Sequence, residues 1–138
     1  TGHDLDLTAA IYRSWQEASD EAARRLFRVC GYCAPSQPVP RYLLERAADL
    51  DRDAYEAALS ILTGLGLLEI AGTGLDPIIH PAVAEYARTL PGASEALSAL
   101  MGALVRLTRE ACNIFHAPLH FGALRPHLVN CQALLARR

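Results

Sequence analysis

Leu67-Leu68-Glu69-Ile70-Ala71-Gly72-Thr73-Gly74-Leu75-Asp76-Pro77-Ile78-Ile79 is the stretch that decides the architecture of this 138-residue chain. Two short apolar runs flank a Gly-Thr-Gly centre, which reads as strand, tight glycine turn, strand. It is the only β signal in a sequence otherwise patterned for helices. Pro77, which has no N–H to give to a ladder, points to an edge position for the second strand.

Upstream of the hairpin, Asp51 or Asp53 caps a helix with inner positions Tyr55, Ala58, Leu59 and Leu62, ending near Gly64-Leu65-Gly66. A shorter helix follows Pro40 and carries Tyr42, Leu43, Leu44 and Ala47. Before it, Ala34-Pro35-Ser36-Gln37-Pro38-Val39-Pro40 is extended, because a residue preceding Pro is pushed out of the α region. Ser19-Asp20 opens another helix, with a stripe of Ala23, Leu26, Phe27, Cys30 and Cys33 and with Arg24, Arg25 and Arg28 toward solvent. Asp6-Leu7-Thr8 caps a first helix whose apolar positions are Ile11, Tyr12 and Trp15.

Downstream, His80-Pro81 opens a helix through Val83, Tyr86, Ala87 and Leu90, and Pro91-Gly92 interrupts it. A long amphipathic helix runs from Ser94 to about Phe115, with Leu97, Leu100, Met101, Leu104, Leu107 and Cys112 on its inner side. His116 to His120 form a loop, and a last helix from Arg125 turns Leu128, Cys131 and Leu135 inward. The fold class expected is mainly α: a winged helix, in which a three-helix triangle over 20–64 is closed by a two-stranded wing at 67–79, followed by a helical hairpin. The domains are then 1–90, the winged helix with its leading helix, and 91–138, a helical linker or hairpin that is the possible start of an α-solenoid.

Composition narrows the function classes. The net charge is −2 and the pI near 6.2, so the chain has no general basic face for a polyanion. Every basic residue is an Arg. There is no apolar run of roughly 18 residues, as a membrane span needs, and no basic-then-apolar leader at the start. Four cysteines at 30, 33, 112 and 131 do not make a small secreted disulfide framework, so the expected compartment is a reducing cytoplasm. Thr1-Gly2 and Leu134-Leu135-Ala136 both read as cuts in a longer protein.

The candidate chemistry is sparse. Cys30-Gly31-Tyr32-Cys33 invites zinc or redox readings, but it lies within a predicted helix without a second such pair, so buried apolar packing is expected and no metal. Glu17, Asp20 and Glu21 are acids with no nucleophile nearby, so no catalytic residue is assigned and an enzyme is not expected. Trp15 reads as a core anchor. In DNA-reading winged helices the third helix of the triangle presents cations or amides to the major groove. Here it reads from Asp53 to Thr63 with two acids and no base, and the Gly72-Thr73-Gly74 tip has no cation. No nucleic-acid partner is expected, although a winged-helix DNA-binding domain of a transcription regulator is the alternative.

Ser14-Trp15, Ala22-Ala23-Arg24-Arg25-Leu26-Phe27, Cys33-Ala34-Pro35 with Pro38-Val39-Pro40, Ala57-Ala58-Leu59 before Leu65-Gly66-Leu67-Leu68, and Ile79-His80-Pro81 stand in one order. Over roughly 8–90 they resemble the winged-helix segment of bacterial NB-ARC-type ATPases of the STAND class. Leu124-Arg125-Pro126-His127-Leu128 resembles the linker that leads such proteins into a tetratricopeptide-repeat array. The resemblance implies a signal-transduction switch in which the winged helix closes over ADP held by an upstream P-loop domain, and exchange for ATP releases it. His80 matches the family's histidine that touches the ADP phosphates, although Pro81 stands where many members have Asp. The partners implied are that upstream domain, downstream helical repeats and further copies of the chain in a homo-oligomer, with no membrane. The chain itself has no Gly-x-x-x-x-Gly-Lys-Ser/Thr loop, so no cofactor is expected in this stretch alone and ADP or ATP would belong to the intact protein.

Overall fold

A computed structural model of the chain describes residues 2–70, 72, 74, 76–114, 129, 130 and 133, with side chains described from residue 6 to residue 110 and at 129, 130 and 133. The expected loop at 116–120, most of the last helix, Leu124 to Leu128, and the side chain of Cys112 lie outside the described residues. Val129, Asn130 and Ala133 are helical. The described chain is mainly helical, with a small two-stranded antiparallel sheet.

Helix α1 spans Gly2–Glu17, so it begins upstream of Asp6-Leu7-Thr8, which lies inside it rather than capping it. Helix α2 spans Glu21–Cys30, and its cap is Asp20, whose carboxylate accepts from the Ala23 N–H at 3.1 Å. Ala23, Leu26, Phe27, Val29 and Cys30 are buried along it. Helix α3 spans Arg41–Ala47, and α4 spans Arg52–Gly64 behind an Asp51 cap that accepts from Ala54 at 2.8 Å. Tyr55, Ala58, Leu59 and Leu62 are the buried positions of α4, as the periodicity predicts.

Both α3 and α4 stop by the same device. In the Schellman geometry the residue after the cap is left-handed, and the following N–H reaches back five residues. Gly66, at φ 76°, does this for α4, with Leu67 N–H on the Leu62 carbonyl at 3.0 Å. Asp49, at φ 54°, does it for α3 without a glycine, with Leu50 N–H on the Glu45 carbonyl at 2.9 Å.

The hairpin follows. Strand β1 is Glu69–Ile70 and β2 is Pro77–Ile78, paired antiparallel with Glu69 opposite Ile78 and Ile70 opposite Pro77. The strands are shorter than the sequence suggests, and Leu67, Leu68 and Ile79 beside them are buried. Pro77 lies on an edge strand of the two-stranded sheet, as the sequence predicts, but that edge is not bare. Ser36 N–H donates to the Ile79 carbonyl at 2.9 Å and Val39 N–H to the Pro77 carbonyl at 2.9 Å, so segment 36–39 lies along the outer side of β2. The proline only has to lack a donor, and here its carbonyl is what the neighbouring segment uses.

Helix α5 spans Pro81–Ala87 and α6 spans Ala93–Ile114. Helix α1 packs on α5, while α2 meets α3, α4, α5 and α6, and α6 also covers α3. Ala96, Leu100, Ala103, Leu104 and Leu107 of α6 join the same buried cluster as Leu43, Leu59 and Ile79. Three residues expected inside point outward: Tyr12 is 53 % exposed, Tyr42 44 % and Met101 53 %. Each sits at the margin of an apolar stripe, where the helical period alone does not fix which side the partner occupies. Among the described residues, no helix is long and apolar enough to cross a membrane.

Candidate functional site

His80 leaves β2 and caps α5. Its Nδ1 accepts from the Ala82 N–H at 3.0 Å, and the side chain is exposed. Pro81, the first residue of α5, has no N–H, so capping Ala82 removes one of the few amide donors this short helix offers at its start. With Nδ1 accepting, the neutral ring carries its proton on Nε2. What His80 can present to a ligand is therefore a single Nε2–H donor rather than a nest of backbone amides.

The surroundings hold α5 firmly. Its C-terminal end rests on the end of α2, where a Cβ at Gly31 would meet the Ala87 Cβ at 2.7 Å. Arg88 donates to the Gly31 carbonyl at 2.8 Å across the same contact. Below, Trp15 of α1 lies against Phe27 of α2 with ring centroids 4.9 Å apart, as the core anchor the sequence suggests.

The basic residues of α2 are not a solvated face. Arg24 sits over the Trp15 ring, 5.2 Å from its centroid, and donates to the Ala18 carbonyl. Arg28 lies in a groove of about 410 Å³ between α2, the end of α3 and the start of α6, near Glu21, Arg25, Asp49 and Glu95. Its Nε is buried with no hydrogen-bond partner among the described residues, and one terminal nitrogen stands 3.7 Å from Glu21. Only Arg25 is exposed. Three carboxylates against two guanidiniums make the groove a poor receptor for a phosphate.

Cys30 ends α2, and Cys33 lies in the turn beyond it rather than on the helix. Both are buried thiols that form no disulfide, with the Cys33 sulfur 3.6 Å from the Val29 carbonyl. Burial, and secondarily Cys33, pushes the Cys30 thiol well above its ordinary value, the reverse of a reactive thiolate. Among the described residues, no three His, Cys, Asp or Glu side chains gather as metal ligands do.

Helix α4 differs from its sequence description in one respect. It begins at Arg52, so its exposed side carries one base as well as Asp53 and Glu56. Arg52 is 4.0 Å from Glu56, four residues on, which leaves the surface acidic on balance.

Two polar residues that the sequence does not single out join distant elements. Asp76 accepts the Arg41 N–H at 2.9 Å, supplying the cap that Pro40 cannot give α3. Asn130, only 2 % exposed, accepts the Ala34 N–H at 3.0 Å. An Asp before a Pro hints at a turn role for the first, whereas nothing local marks Asn130.

Comparison with family models, with curated proteins and with solved structures gives no match to this chain.

Proposed function

We propose that the chain is a winged-helix regulatory and interaction module of a STAND-type ATPase, rather than an enzyme, which closes over ADP held by a P-loop domain preceding it. The observation that carries the fold half is the bonding of segment 36–39 to β2. Helix α2, an extended piece, α3, α4 and a hairpin is the element order of a winged helix, and the bonding of the extended piece to the second hairpin strand supports that reading. The functional half rests on the sequence resemblance and on the position of His80, exposed at the junction of hairpin and α5.

The acidic α4 surface favours this assignment over the DNA-binding alternative, because a recognition helix carrying Asp53 and Glu56 against one base repels phosphates. Closure over a nucleotide needs one directed donor, which the His80 Nε2–H provides. A charge-assisted hydrogen bond of that kind contributes roughly 1.5–3 kcal/mol, about ten- to a hundredfold in affinity.

Capping and phosphate contact are separable by substitution. His80→Ala removes both, while His80→Asn keeps a good helix cap and removes the reach of Nε2. In the full-length protein both variants are expected to release ADP at least tenfold faster, and the isolated 138 residues neither bind nor hydrolyse nucleotide. Unchanged ADP release in both would leave His80 as a helix cap alone. A coding sequence without a P-loop motif ahead of Thr1 would remove the ATPase assignment altogether.

A further inference from the structure

We infer that Asn130 is a positioning residue that couples the C-terminal helical segment to the His80 cap through the strap 34–36 and the end of β2. Three hydrogen bonds lie in series. The Asn130 side chain accepts from the Ala34 N–H at 3.0 Å, in a buried setting. Two residues on, Ser36 N–H donates to the Ile79 carbonyl at 2.9 Å. Ile79 is 1 % exposed and precedes His80, whose Nδ1 holds the Ala82 N–H.

The strap between the first two bonds has little freedom to absorb a displacement. Pro35 has a fixed φ, and Ser36 sits at φ 63°, a left-handed conformation that a non-glycine residue holds only where its surroundings impose it. Bonds at Ala34 and Val39 bracket that strained position, and Ser36 is itself bonded to the Ile79 carbonyl between them. A shift of Asn130 therefore reaches the carbonyl of Ile79 through a short, stiff path, and His80 is covalently next.

The use of this coupling as a switch rests on the proposal that His80 senses nucleotide; the coupling itself does not. It is accordingly tested without nucleotide, on the 138-residue chain, by site-resolved amide hydrogen exchange of Asn130→Ala. Loss of a buried acceptor is expected to speed exchange at Ala34 about tenfold or more. The coupling further requires faster exchange at Ser36 and Ala82, with the amides inside α4 unchanged. Acceleration at Ala34 alone would overturn the inference, and so would uniform acceleration through α4, which marks general destabilisation. Because coupling is reciprocal, His80→Ala must also shift the side-chain amide resonances of Asn130. Unmoved Asn130 resonances in a folded His80→Ala protein would overturn it even where Asn130→Ala does not fold.

Discussion

Replacing Gly31 with Ala tests the close approach that seats α5 on α2. The backbone at Gly31 is ordinary, φ −61° and ψ −24°, so no conformational penalty attaches to a side chain there. In open space the change would stabilise by about 0.4–1 kcal/mol, by restricting the unfolded chain. The space is not open. The new Cβ falls 2.7 Å from the Ala87 Cβ and 3.3 Å from the Ala84 carbonyl, both fixed to the α5 backbone. No flexible side chain can yield, so α5 must move away, breaking the fit that Arg88 closes on the Gly31 carbonyl. Overpacking of this sort costs about 1–3 kcal/mol, and the net loss expected is about 1–2 kcal/mol after the gain is subtracted. For a chain of this length that is a fall of about 3–10 °C in Tm, read by calorimetry or circular dichroism. Gly64→Ala is the control: nothing lies within 4 Å of its Cβ position, and the expected sign is the opposite, a gain of up to about 1 kcal/mol. Ala87→Gly should recover part of the Gly31→Ala loss. A Gly31→Ala protein as stable as the parent would mean that α5 does not approach α2 as described.

Alkaline pH should lower the stability of the fold. Burial, with Cys30, Asp76 and Glu45 adding to it, pushes the Tyr55 phenol far above its usual range, and the Cys30 thiol is raised by burial too. Both acids stay protonated in the fold and ionise in the unfolded chain, so stability is intact below the unfolded values and falls as pH rises past them. Each group costs about 1.4 kcal/mol per pH unit there, and Tyr55→Phe should flatten the slope of denaturant-derived stability above about pH 10; an unchanged slope would show that Tyr55 ionises in the native state. Duplex DNA should not be bound selectively: sub-micromolar, sequence-dependent anisotropy changes at physiological salt would contradict the acidic character assigned to α4.

What the sequence made legible was local. Caps at Asp20 and Asp51, the inner set of α4 and the Gly66 stop each involve residues within six positions of one another. Their signals survive in isolation because a cap or a Schellman turn is satisfied by near neighbours. The readings that failed needed a partner from elsewhere. Arg24 and Arg28 look solvated until Trp15 and the start of α6 are brought beside them. Cys33 follows the helical period of α2 yet lies beyond the end of that helix; it is buried all the same because the turn folds inward.

The candidate site shows the same division. That His80 begins a helix is written in the sequence by Pro81 alone, but the use of Nδ1 as the cap fixes which nitrogen faces outward, and that is a fact of geometry. Helix α2 explains why one histidine at a helix start can be tied to residues fifty positions away. It is ten residues long and meets α3, α4, α5 and α6, which requires apolar or small side chains around much of its circumference. Ala23, Leu26, Phe27, Val29 and Cys30 meet that requirement, and Gly31 lets α5 come close where any larger residue would hold it off. Close-packed interiors of this kind transmit displacement rather than absorb it. A movement of α5 about its His80 end must therefore be answered at α2, and through α2 at α6. The hairpin strap offers a second route, by hydrogen bonds, from the same histidine to Asn130. Two routes, one of packing through α2 to α6 and one of polar bonds to Asn130, thus start from the same histidine.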